Sequence, residues 1–287
     1  MLRSFKIGKL FGIPLYVHTT FFLLPAWMLL SNRENGPIDA LFVLLGLAAV
    51  FSCVVLHELG HALAARRFGI GTESITLFPI GGVARLQRMS DKPFEEICIA
   101  VAGPAVNLIL ALAFLPLLVL NNRLGIGLGG AFYHPDSGLG IALARVVYWL
   151  WAANLGLLLF NLLPCFPMDG GRVLRAVLSN WKGQLRATEI AVRIGLFVAF
   201  FIACLSVPAR SPMPIFLALF VLFAGQMELM GLRQIEARRR AARLALPMIA
   251  EDDSGSVPPF SGIAWDSRAR VWVMWHNGQI VGHWGAN

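Results

Sequence analysis

The sequence predicts an all-α polytopic membrane protein of about six transmembrane helices, with a small β element on the cytoplasmic side and a C-terminal β-hairpin tail. Three features predict it: long apolar runs, a one-sided distribution of Lys and Arg between them, and two short stretches of strand-like alternation. Hydrophobic residues make up 57% of the 287 residues and charged residues 14%. A soluble domain averages about 45–50% apolar and about 25% charged. The surplus is gathered into runs at 14–30, 38–68, 94–120, 140–163, 187–207 and 214–232. Roughly 20 apolar residues suffice to cross a bilayer as a helix. The first run is followed by polar Ser31-Asn32-Arg33-Glu34-Asn35 with no small-residue cleavage site, so it reads as a first transmembrane helix and not as a cleavable leader.

Basic residues mark the side on which each loop lies. One set of flanks carries Arg3, Lys6 and Lys9; Arg66, Arg67, Arg85, Arg88 and Lys92; Arg172, Arg175, Lys182 and Arg186; and Arg233, Arg238, Arg239, Arg240 and Arg243. The opposite flanks hold little beyond Arg33, Arg123 and Arg210. An even number of spans with both termini cytoplasmic follows, in an integral membrane protein. The net charge of +8 is then accounted for by contact with anionic lipid, with no nucleic-acid partner.

Three segments follow from this layout: a membrane domain at 1–232, a basic helix extension and linker at 233–259, and a small Trp-rich β module at 260–287. Residues 1–13 read as a basic, amphipathic lead. Ser74 to Leu86 alternates and contains Gly81-Gly82, so it reads as strands or a hairpin at the membrane surface. The composition of Glu251 to Pro259 favours a flexible linker. In the tail, Asn277-Gly278 between alternating apolar residues is a hairpin signal. Cys53, Cys98, Cys165 and Cys204 sit singly in or beside apolar runs, which argues against a disulfide framework or a thiolate metal site.

The second run contains His57-Glu58-Leu59-Gly60-His61. Two His four residues apart project from one helix face, and two imidazoles are half of a zinc site. Glu58 points roughly 100° away around the helix and reads as a proton acceptor for a water, not as a ligand. Ionisable groups within an apolar span are costly unless they face a protein interior or cavity, and there they mark function. Histidines that only bond neighbouring helices are the bland alternative. The small Gly60 allows close approach of another helix or a substrate.

A third ligand must lie at the same depth. After the fourth run the sequence reads NLLPCFPMDGG, which places Asp169 in a Pro-broken, Gly-flanked loop. Gly170 and Gly171 permit close backbone approach. Asp91, Glu95, Glu96, Glu189 and Glu228 compete, but they lie near Lys or Arg or at helix starts, where solvated or capping roles are expected. Asp169 is favoured as that ligand; it could also cap the following helix, and the two roles are not exclusive. Asn107 and Asn161 lie in apolar helices and need partners, either neighbouring helices or a bound peptide and its developing oxyanion. Pro104, Pro164 and Pro167 are expected to weaken the helix locally.

The ordered set comprises His57-Glu58-Leu59-Gly60-His61; Asn161, Pro164, Pro167, Met168, Asp169 and Gly170; Gly103-Pro104 with Asn107; Ile80-Gly81-Gly82-Val83; and Gly12-Ile13-Pro14 with His18. It resembles the site-2 protease family of intramembrane zinc metalloproteases over roughly residues 5–232. The resemblance implies one zinc ion per chain held by His57, His61 and Asp169, with Glu58 as general base. It implies that Asn161 positions substrate or stabilises the intermediate, and that the strand at Gly81-Gly82 pairs with an unwound substrate. The expected substrates are transmembrane proteins, cut in or near their membrane segments in regulated intramembrane proteolysis. No segment is long enough for the PDZ or paired CBS domain of many relatives, so no nucleotide partner is expected. Cys165 stands where another apolar residue is common and reads as packing. The alternatives are a catalytically silent membrane scaffold, which would not need the general base, and a metal transporter, which would spread ionisable residues through the membrane thickness.

Overall fold

A computed structural model of the chain describes residues 4–31, 36–88, 90, 92–123, 139–210, 213–245, 261–266, 271–277 and 279–285. Asp91, the linker at 251–259 and Gly278 lie outside the described residues. The chain divides into two compact units, Met1–Arg233 and Gln234–Asn287.

The first unit opens with strands, not with a helix. β1 (Ser4–Leu10) and β2 (Ile13–His18) form an antiparallel pair, and β2 runs parallel to β3 (Thr72–Phe78). β3 turns back into β4 (Gly81–Leu86), giving a four-stranded sheet in the order β1-β2-β3-β4. Two expectations are corrected here. Within the expected basic, amphipathic lead, Ser4–Leu10 forms a strand, and the run at 14–30 is not helical from its start. Its first residues are β2, and His18 caps a 3₁₀ turn through a bond from the Thr20 amide to its Nδ1. Helix α1 (Leu23–Ser31) then adds 9 residues, and the apolar helical stretch is Thr19–Ser31. Ile13, Leu59, Ala62 and Ile75 form one buried cluster, which explains the change: Ile13 of β2 is needed against the helix that carries Leu59 and Ala62.

The remaining elements are helical. They are α2 (Gly36–Arg67), α3 (Pro93–Arg123), α4 (Leu139–Asn161), α5 (Asp169–Lys182), α6 (Gln184–Cys204), the single turn α7 (Ser206–Ala209) and α8 (Met213–Ala245). Among the described residues four stretches are long and apolar enough to cross a membrane: Ala40–Arg67, Pro93–Leu120, Gln184–Pro208 and Pro214–Arg238; Val146–Asn161 is a shorter apolar helix. Large side chains such as Leu112, Phe197, Phe200, Phe201 and Phe216 point outward, as a lipid-facing surface requires. The chain is therefore a polytopic α-helical membrane protein with small β sheets.

Pro104 does not interrupt α3. It lies fully buried inside an unbroken helix, because α2 packs along that face. A Cβ on Gly60 would come within 2.7 Å of the Ala102 carbonyl oxygen and 2.9 Å of a Val106 methyl, so Gly60 sets how closely the two helices meet. Pro164 and Pro167 do interrupt the chain, in the loop between α4 and α5.

In the second unit β5 (Gly262–Asp266), β6 (Val271–His276) and β7 (Gln279–Gly285) form an antiparallel sheet in that order. Asn277 has φ +48°, the left-handed conformation that a tight hairpin turn demands. Its amide donates to the Ser261 hydroxyl at 2.8 Å, and Trp265 meets Trp272 edge to face at 5.3 Å. β5 was not foreseen from sequence; it gives β6 a second neighbour.

Candidate metal centre

The site is built where α2, α3 and the start of α5 meet. His57 and His61, one turn apart on α2, are both buried. Their Nε2 atoms lie 3.1 Å apart, and the Oδ2 atom of Asp169 lies 3.3 Å from the first and 3.1 Å from the second. Tetrahedral zinc bonds of about 2.0–2.1 Å separate neighbouring donor atoms by roughly 3.3 Å, so the triangle matches three corners of such a site. Among the described residues this is a buried His, His, Asp group that could hold a metal ion.

The protonation pattern agrees. Nδ1 of His61 lies 2.7 Å from the Ile99 carbonyl oxygen. A carbonyl only accepts, so Nδ1 carries the proton and Nε2 presents its lone pair to the centre of the triangle. The other oxygen of Asp169, Oδ1, is 3.8 Å from Arg172 Nη1, which leaves Oδ2 for the centre. Zinc fits this donor set.

Backbone packing explains why these residues converge. A Cβ on Gly103 would overlap His61 Nε2 and approach His57 Cε1 to 2.8 Å, so α3 can lie against the imidazoles only because residue 103 is Gly. Cβ atoms on Gly170 and Gly171 would strike the backbone of Leu162, Leu163 and Cys165, so the turn that aims Asp169 depends on both glycines. Asp169 is not the helix cap. It is the first residue of α5, the N-cap is Met168, and no side chain caps that end. Cys165 packs with Met168, Ala199, Ala218 and Val221.

Glu58 is half-buried and faces the sheet. The backbone amide of Ala84 on β4 donates to its Oε2 at 3.0 Å. Gly81 and Gly82 begin β4, an edge strand of the sheet, opposite Phe78 and Leu77. Asn107 lies one turn beyond Gly103 on the same face of α3; it is fully buried, and neither amide atom has a protein partner among the described residues. Asn161 ends α4 and is half-buried.

Two features were misjudged from sequence. Arg175 reads there as a cytoplasmic flank charge, and Glu96 and Glu228 as solvated or capping groups. Instead Arg175 is buried on α5, donates Nε at 2.8 Å and also Nη2 to Glu96 of α3, and donates Nη1 at 2.6 Å to Glu228 of α8. Its guanidinium also sits 5.0 Å over the Phe166 ring. The helix bearing Asp169 is thus tied to α3 and α8. Asn154 escaped notice as well. It is fully buried on α4 and donates to Cys53 Sγ at 3.3 Å, one turn before His57.

Comparison with known proteins agrees with this geometry. Residues 45–202 match the family model described as Peptidase family M50. A zinc metalloprotease of Methanocaldococcus jannaschii is 36% identical over 230 residues, covering 79% of this chain and 61% of that protein. A putative zinc metalloprotease of Synechocystis is 35% identical over 204 residues, covering 68% of this chain and 50% of that one. The chain therefore spans half to three-fifths of the length of these relatives. The solved structure of a site-2 protease from Methanocaldococcus jannaschii superposes with a TM-score of 0.56 at 31% identity, covering 79% of this chain and 95% of that one. His57, Glu58, His61 and Asp169 all fall inside the matched stretch, and this chain belongs to peptidase family M50.

Proposed function

We propose that the protein is an intramembrane zinc metalloendopeptidase that hydrolyses peptide bonds in or near transmembrane segments of membrane proteins, in regulated intramembrane proteolysis. The observation that carries this reading is the buried triangle of His57 Nε2, His61 Nε2 and Asp169 Oδ2, with 3.1–3.3 Å edges, beside a carboxylate that is not part of it. These three residues would hold zinc, which supplies a Lewis acid for the scissile carbonyl and an acidified water. Glu58 would serve as the general base, taking a proton from a water and passing it to the leaving amide nitrogen. Asn107 or Asn161 donates to the carbonyl oxygen as it gains charge. The full burial of Asn107 without a protein partner among the described residues supports such a role. The edge strand at Gly81-Gly82 pairs with a substrate segment that has lost its helical bonds.

The reading includes six spans with both termini cytoplasmic and the site near the cytoplasmic face. It also includes a membrane domain at 1–232, a basic extension and linker at 233–259, and a Trp-rich β module at 260–287. The membrane partners are lipid and a transmembrane substrate, in a prokaryotic cell membrane. The decisive experiment is Glu58→Gln. The variant should retain one zinc per chain and lose cleavage of a co-expressed membrane substrate; undiminished cleavage would overturn the proposal.

A further inference from the structure

We propose that strand β4 positions the general base: the outward amide of Ala84 and the missing side chain of Gly82 together hold Glu58. The inference rests on the assignment of Glu58 above and adds a positioning element to it.

β4 pairs only with β3, so its other edge is open among the described residues. Along an antiparallel edge strand, alternate residues direct both backbone groups away from the ladder. Ala84 is such a residue, since its amide donates to Glu58 Oε2 at 3.0 Å. Gly82, two positions earlier, shares that orientation. Gly82 and Ala84 also face α2: Ala84 packs against the cluster of Ile13, Leu59, Ala62 and Ile75, two of which lie on that helix. A Cβ on Gly82 would come within 2.6 Å of Glu58 Cγ, 3.2 Å of Glu58 Cδ and 3.1 Å of a Val54 methyl.

One strand therefore fixes one side chain at two points. Gly82 leaves the room through which the Glu58 stem passes, and Ala84 binds the carboxylate at its end. Glu has three rotatable bonds, and a carboxylate held by a charge-assisted bond from rigid backbone is oriented more narrowly than a solvated one. Neither edge protection nor backbone strain accounts for the arrangement. Lys, Pro or a bulge protects an edge strand from pairing without an acidic residue of the metal-site helix. The left-handed φ in this turn belongs to Gly81 and not to Gly82, so relief of strain leaves Gly82 unaccounted for.

The test uses the full chain, with fluorescently labelled casein as an unfolded polypeptide probe. Ala84→Pro removes the outward donor while leaving the bonds to β3, because Pro is tolerated where an edge amide faces away from the ladder. Gly82→Ala keeps every backbone donor and crowds the Glu58 stem. Both variants should bind one zinc per chain, keep KM within about twofold and lose kcat by roughly 10–100-fold, as misplaced catalytic groups do. The double variant should be no worse than the more impaired single one, because both act through the same carboxylate. Wild-type kcat in Gly82→Ala would overturn the inference, as would losses that multiply in the double variant. A rise in KM alone would assign the Ala84 amide to substrate pairing and equally sink it. If Ala84→Pro fails to fold, as shown by lost zinc, Gly82→Ala decides alone. Failure of the enzymatic reading is distinct, because it shows as full cleavage by Glu58→Gln.

Discussion

At the scale of single residues, the site depends as much on missing atoms as on ligands. Asp169→Asn keeps the shape and removes the charge, so zinc retained after dialysis against a chelator should fall by at least roughly tenfold. Gly103→Ala should do nearly as much although Gly103 binds nothing, because its Cβ would occupy the space of the His61 imidazole. Cys165 makes a prediction of a different kind. It is buried, and burial pushes its thiol up to about 11. Thiolate is the reactive form, so Cys165 should resist maleimide at neutral pH in the folded protein and label once the protein is denatured. The two candidate His ligands stood out in the sequence because two His at helical spacing in an apolar run have few other uses. The shaping glycines were legible only in part. Gly170 and Gly171 stand beside Asp169, which they aim, whereas what Gly103 touches lies on another helix.

At the scale of elements, α5 is held by the Arg175 cluster. Arg175→Met leaves the buried Glu96 carboxylate without its partner, which costs about 3–5 kcal/mol. Resistance to denaturation in detergent should drop accordingly. Replacing Glu96 and Glu228 by Gln in the same chain should restore most of it. From sequence, the charge of Arg175 was read as topological, since hydropathy patterns do not distinguish a basic residue at a membrane surface from one turned inward between helices. The same limit explains β2. IPLYVH is apolar and continuous with the run that follows, and a short apolar stretch can begin a membrane helix or form a buried strand. Its parallel partner β3 is more than fifty residues away, and only that pairing decides the matter. The hairpin of β3 and β4 was legible because its partners are adjacent and its alternation is local.

At the scale of the whole molecule, the distribution of Lys and Arg makes a prediction that helix lengths alone do not. With six spans, a reporter fused at residue 287 should be active in the cytoplasm and one inserted at residue 34 should report the opposite side. A cytoplasmic signal at residue 34 would show that Thr19–Ser31 does not cross. This is a real test, since that helical stretch is shorter than the roughly 20 residues a perpendicular span needs.

Composition and the apolar runs determined the membrane class, because the bilayer acts on each segment by itself through its hydropathy. The His-Glu-x-x-His spacing likewise determined one face of one helix. Which carboxylate completes the triangle, which amide grips Glu58 and which acids pair with Arg175 were decided only by tertiary structure. Those contacts join residues from 26 to 79 positions apart, or further still in the case of His61 and Asp169. Such separations are closed by helix and sheet packing, which depends on where whole elements lie and not on any local pattern of side chains.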